Sequence, residues 1–137
     1  MNTLSRLAFL VFACFLFCCN SEEQPKKGSD TQAAAKIMKI PAEQAKAIMR
    51  GRKAHILIDV RTEEEFKSKH IESAINIPLD EISTRAASLT DKGTIVLVYC
   101  KSGGRSASAA KEFIKLGYSS VYDLGGIDDW PYGTVGD

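Results

Sequence analysis

The stretch Thr94–Ser106, TIVLVYCKSGGRS, decides how this chain is read. Residues Thr94–Tyr99 are β-branched or apolar at successive positions, so both faces of the strand they form must be buried. A strand of that kind belongs in the middle of a parallel sheet. Beyond Cys100 and a short glycine-containing loop the pattern changes to helical spacing, from Gly104 to Leu116. Ala109, Ala110, Phe113 and Ile114 fall on one side of that helix, and Gly117 ends it. The alternation continues outward. His55–Val60 (HILIDV) reads as a second buried strand, and shorter strands are expected at Ile37–Ile40, Ala74–Ile77 and Ser120–Leu124. Between them, Pro41 suits the first turn of a helix at Ala42–Arg50 that stops at Gly51. Thr62 with Glu65 three residues on is the signature of a capping box, opening a helix at Thr62–Lys69. Leu79–Leu89, after Pro78, is the remaining expected helix. Strands alternating with helices predict an α/β domain whose mostly parallel sheet is covered on both faces.

Ligands of such sheets bind at the carboxyl ends of the strands, where Cys100 stands. Gly103 and Gly104 allow positive φ and let several N–H groups turn toward one point. The start of the following helix adds unpaired N–H donors and the positive end of its dipole. Lys101 and Arg105 add two positive charges. A free thiol ionises near a pKa of roughly 8.5, and such surroundings lower it to about 3.5–7.5. The loop is therefore expected to hold a thiolate and to bind an anion beside it. A lone cysteine at a strand end is otherwise a small buried hydrophobe. Context favours the reactive reading, because Cys100 has no other cysteine to pair with in the globular part of an exported chain.

That compartment is read from the other end of the sequence. Residues 1–19 hold a single charge, Arg6, followed by an unbroken apolar run from Leu7 to Cys19. A cation before an apolar stretch is the order of a secretory signal. Thirteen helical residues rise roughly 20 Å, short of the roughly 30 Å hydrocarbon core that a transmembrane anchor must span. Cys14, Cys18 and Cys19 lie in this run. Leu16-Phe17-Cys18-Cys19 resembles the lipobox of bacterial lipoproteins, which makes Cys19 the expected lipidation site. Cys14 and Cys18 are alternatives, as is a plain secretory signal. Residues 20–36 carry no apolar side chain larger than alanine, cannot repay their ordering entropy, and read as a polar tether. The expected layout is a signal peptide at 1–19, a tether at 20–36 and one domain at 37–137, exported and lipid-anchored at the periplasmic or cell-surface side of a bacterial membrane. With 18 Lys and Arg against 17 Asp and Glu, and Arg6 in the signal, the rest of the chain is neutral. That balance gives no electrostatic reason to bind nucleic acid.

From about Ile37 onward the chain resembles a single rhodanese domain, and Cys100-Lys101-Ser102-Gly103-Gly104-Arg105-Ser106 is close to that family's active-site pattern. Three further pieces match in order: Ile58-Asp59-Val60-Arg61 with Glu64-Glu65-Phe66, His70-Ile71 through Ala74-Ile75-Asn76-Ile77-Pro78, and Gly125-Gly126 before Trp130. Ser73 departs from the family's usual glycine, and Asp129 from its common alanine. The resemblance implies a three-layer α/β/α fold and a sulfurtransferase that needs no metal or organic cofactor. It implies that Cys100 takes sulfane sulfur from thiosulfate or a similar anionic donor and passes it to cyanide or a thiol; the alternatives are a sulfur carrier and a non-catalytic rhodanese-like interaction module. A redox protein is a candidate partner. Residues Lys101 to Ser106 would bind the substrate. The cell-cycle phosphatases of this fold have five residues between cysteine and arginine, whereas four separate Cys100 from Arg105, a ring suited to one sulfur atom.

Asp59 and Arg61 read either as a helix-capping aspartate with a surface arginine or, by the resemblance, as supports of the cysteine loop. His70 is expected to make structural hydrogen bonds rather than to activate the thiol, and neither it nor His55 has metal-site spacing. Trp130 and Tyr132 are expected to pack, and Lys26-Lys27 to be solvated.

Overall fold

The computed structural model describes residues 35–137; the signal, the lipidation cysteine and nearly all of the tether lie outside them. The sheet has five strands: Lys36–Lys39 (β1), His55–Asp59 (β2), Ile75–Asn76 (β3), Ile95–Cys100 (β4) and Ser120–Gly126 (β5). Their order is β1-β5-β4-β2-β3, and every pairing is parallel. β4 is therefore the central strand, as its two-sided apolar pattern requires. Its alternate side chains divide between two cores. Val96, Val98 and Cys100 join Ile58, Val60, Ala109, Ala110, Phe113 and Tyr118 on one face, while Leu97 and Tyr99 join Ile40, Ala45, Leu57, Ile71 and Ile127 on the other.

Helix Gly104–Lys115 (α4) covers the first face with its Ala109, Ala110 and Phe113 stripe. Helix Ala42–Arg50 (α1) covers the second through Ala45. Together they make the three layers. α4 stops in a Schellman motif: the Gly117 N–H reaches the Ile114 carbonyl and the Tyr118 N–H the Phe113 carbonyl. Phe113 and Tyr118 then meet edge-to-face at 5.3 Å between ring centres, and trimming Phe113 to alanine costs about 3–5 kcal/mol. The capping box is present: Thr62 Oγ1 accepts from the Glu65 N–H, and Glu65 returns the bond to the Thr62 N–H, opening helix Glu63–Ser68 (α2).

Two expected elements are shorter. Leu79–Leu89 forms only a 3₁₀ turn at Leu79–Glu81 and one helical turn at Ile82–Arg85 (α3). The carbonyls that a longer helix would need are taken: Ala86 by the Tyr118 hydroxyl at 2.7 Å, and Ala87 by Lys92 Nζ. The strand expected at Ala74–Ile77 shrinks to Ile75–Asn76 because the Ala74 N–H closes a turn onto the Ile71 carbonyl. Ser73, third in that turn, has φ +67°, which explains why glycine suits the position.

Candidate active site

Cys100 ends β4 with its side chain on the α4 side of the sheet. The loop then reverses through Gly103, whose φ of +100° only glycine adopts without strain, and its N–H points back at Cys100 Sγ from 3.1 Å. Ser106, in the first turn of α4 and fully buried, places its Oγ 3.7 Å from the sulfur. Burial works to raise the Cys100 pKa. The N–H groups of Ser106, Gly103 and Ser102 and the Ser106 hydroxyl outweigh it, and the thiol lies below its ordinary value. The Ser106 hydroxyl donates to the Gly103 carbonyl at 3.0 Å. On ionisation of the thiol it can turn that proton to sulfur.

The supports come from β5. Cys100 is in register with Gly126, where a Cβ would run into the Lys101 carbonyl oxygen and the Ser102 Cα. The loop lies directly on this backbone, and no other residue fits.

Two arginine–carboxylate pairs stand at the same end of the sheet. Asp59 and Arg61, 0% and 3% exposed, are joined through Nε and Nη2, with 2.6 Å at the shortest. Arg61 Nη2 also donates to the Lys69 carbonyl, and Asn76 Nδ2 donates to the carbonyls of both Asp59 and Arg61. Beside them burial, reinforced by the Asp59 charge, raises the Tyr99 phenol, whose oxygen accepts the Ile71 N–H. Arg105 forks onto Glu65 of α2 through Nη1 and Nη2 at 2.7 and 2.9 Å. That bond, against a smaller cost of burial, holds the Glu65 carboxyl down at about 2. A cleft of about 360 Å³ beside the loop is lined by Arg61, Glu65, Ser68, Lys69, Lys101 and Asp128.

The loop aims a group of amides at one thiol at the end of a central parallel strand, and comparison with known proteins places the chain in a family. The model for the rhodanese-like domain matches residues 41–131. The chain belongs to the rhodanese-like family. This rhodanese-like chain is 41% identical over 73 residues to the thiosulfate sulfurtransferase PspE of Escherichia coli, covering 53% of this chain and 70% of that protein. It is 32% identical over 111 residues to thiosulfate sulfurtransferase 18 of Arabidopsis thaliana, covering 72% and 80%. The putative sulfur carrier protein YrkF of Bacillus subtilis is 32% identical over 108 residues, covering 77% of this chain and 58% of that one. Among solved structures, a rhodanese with anions from E. coli superposes with a TM-score of 0.58 at 38% identity, over 61% of this chain and all of that one. Its relatives thus include sulfurtransferases and a putative sulfur carrier.

Within this rhodanese-like domain several expectations need correction. The thiol expected to bind an anion beside it is 1% exposed, enclosed by its own loop. The nearest stabilising groups are amides and a hydroxyl, not cations. Arg105 is drawn away by Glu65, and Lys101 is exposed on the rim. Only Gly103 uses positive φ; Gly104 simply begins α4. Ser102 is exposed and contributes its N–H. Ser106 is packed beneath the loop, a partner of the thiol rather than a rim residue. Asp59 and Arg61 are buried, yet beyond the pair itself the Arg61 side chain donates to the Lys69 carbonyl and not to residues 100–106. His70 has the structural role expected of it: Nδ1 bonds the Phe66 carbonyl and the ring stacks on Phe66. Trp130 and Tyr132 pack edge-to-face. Among the described residues no group of His, Cys, Asp and Glu could hold a metal, and no helix is long and apolar enough to cross a membrane. Sequence reading missed Glu65 as the partner of Arg105, although the capping box had already singled it out.

Proposed function

We propose that this chain is a sulfurtransferase that carries sulfane sulfur as a persulfide on Cys100. The observation that carries the reading is the Gly103 N–H aimed at Cys100 Sγ from 3.1 Å, one of the group of donors that lowers the thiol's pKa despite burial. The thiolate attacks the outer sulfur of thiosulfate or a similar anion. A new S–S bond forms, the old one breaks, and its electron pair leaves with sulfite. The persulfide's terminal sulfur takes the negative charge and is stabilised by the same loop amides. Cyanide or a thiolate then attacks that sulfur, and Cys100 leaves as thiolate. Two half-reactions through a covalent enzyme predict ping-pong kinetics.

Lys101, which has no ion pair among the described residues, is the rim cation that meets the donor. Arg105 assists it with a charge already partly neutralised by Glu65. The sulfur-carrier variant of this reading, in which a protein partner supplies or takes the sulfur, is favoured by the near-complete burial of Cys100. The test is incubation of the protein with thiosulfate followed by intact mass measurement. One added sulfur, lost with cyanide and absent in Cys100→Ser, is expected. A folded wild type that gains no sulfur from thiosulfate, polysulfide or a persulfidated thiol would overturn the proposal. A stable adduct that cyanide removes slowly selects the carrier variant.

Anchoring of the chain through Cys19 on the extracytoplasmic side of a bacterial membrane is part of the same proposal, supported by Arg6 and the run Leu7–Cys19. Incorporation of a labelled fatty acid by the wild type and not by Cys19→Ser is expected; equal labelling of both contradicts it.

A further inference from the structure

One buried carboxylate at this end of the sheet has no part in the chemistry above. Asp123 is 5% exposed, in the middle of β5. The register between β4 and β5 slips there: Val98 pairs with Asp123, but Tyr99 pairs with Gly125, leaving Leu124 as an extra residue. Such a bulge bends its strand and re-aims the residues beyond it. Asp123 reaches across the bulge, and its Oδ1 accepts the Gly125 N–H at 2.9 Å. Gly125 has φ +81° and touches the thiol loop in two ways. Its carbonyl faces Ser106 Oγ at 3.4 Å, and its Cα packs 3.4 Å from where a Gly103 Cβ would stand. Ser106 and Gly103 are two of the groups that donate to Cys100.

We propose that Asp123 is a positioning residue for Cys100: by fixing the Gly125 peptide within the bulge it holds the surface on which Gly103 and Ser106 are aimed at the sulfur. This rests on the persulfide reading. The function asked of Asp123 is that of a hydrogen-bond acceptor, not of a charge. A second negative charge at this end of the sheet opposes a thiolate, and the charged groups around it are Lys39 of β1, in register with Asp123 and with its Cε beside Gly125, Lys101 on the loop, Arg105 of α4 with Glu65 of α2, and the Asp59–Arg61 pair at the end of β2.

The test compares Asp123→Ala with Asp123→Asn, whose side-chain carbonyl can still accept the Gly125 N–H. In each full-length protein the Cys100 ionisation midpoint is read from the ultraviolet thiolate absorption, as the difference from the same protein carrying Cys100→Ser. Asp123→Ala is expected to raise the midpoint by about one pH unit and to lower kcat roughly tenfold with the donor KM unchanged, whereas Asp123→Asn keeps both near wild type. An unshifted midpoint in folded Asp123→Ala overturns the proposal, and so does a rise in Asp123→Asn as large as that expected for alanine. If the alanine variant does not fold, the asparagine variant decides with the Gly125 amide exchange rate beside it. A retained midpoint with a protected amide supports the proposal, and a raised midpoint or an unprotected amide removes it. A wild-type midpoint at the ordinary thiol value instead sinks the persulfide reading, which separates the two failures.

Discussion

The two arginine–carboxylate pairs near Cys100 use the same chemistry in opposite settings. Asp59–Arg61 is 0% and 3% exposed, whereas Glu65–Arg105 is 30% and 36% exposed. A buried pair matters for stability because removing one partner strands the other without water. An exposed pair is worth little to the fold, so what Glu65–Arg105 controls is where the Arg105 charge is available. Burial thus separates an arginine held in the core from one whose charge stays within reach of solvent, at the same end of one sheet.

The largest expected effect breaks the buried pair. Arg61→Leu leaves the Asp59 carboxylate alone in the core and should cost about 3–5 kcal/mol, a fall in Tm of roughly 15–30 °C for a domain of this size. The double variant Asp59→Leu/Arg61→Leu should recover much of that loss. A single variant within about 1 kcal/mol of wild type, by chemical denaturation, would show that the pair is not buried in solution.

A smaller effect, of opposite sign, tests whether stability in this region is separable from chemistry. Ser73→Gly relieves the φ of +67° in the turn after His70 and should add about 0.5–1 kcal/mol, the difference between left-handed strain and glycine's chain entropy. Sulfur transfer should be unchanged. A lower Tm would show that this turn relaxes in solution.

Glu65→Gln then probes the exposed pair. Its stability cost should stay below about 1 kcal/mol, while the donor KM should fall roughly two- to five-fold as Arg105 gains charge toward the anion. An unchanged KM would remove Arg105 from the donor's path. The smallest effect is the pH dependence of the same pair. The Glu65 carboxyl is depressed to about 2 in the folded protein, below roughly 4.3 for an unfolded chain. Its contribution is complete above that unfolded value and is lost as pH falls toward 2. Discounted for solvent screening, the gain is ~0.5–1 kcal/mol. Wild type should therefore lose that much more than Glu65→Gln on acidification, by denaturation at pH 5 and pH 2.5. Parallel losses would contradict the ion pair.

How much the sequence discloses depends on range. β4, α4 and the Gly117 stop depend on neighbours along the chain, and their patterns declared them. The Thr62–Glu65 capping box is just as local. The end of α3 could not be read because Tyr118, 32 residues away, takes its Ala86 carbonyl. Arg105 looked free for the same reason, since its partner lies 40 residues earlier. The amide ring was legible because one short loop builds it. That it closes over the thiol depends on Gly126, which the glycine pair marked without saying what approached it.

Backbone amides, more than the nearby cations, lower the Cys100 pKa against its burial; that is the central claim. The most direct measurement is the Cys100 ionisation midpoint in wild type and in Glu65→Gln, by thiolate absorption against the matching Cys100→Ser proteins. The predicted result is a wild-type midpoint below the free-thiol value of roughly 8.5, with little change on releasing Arg105. A wild-type midpoint at or above that value would contradict it.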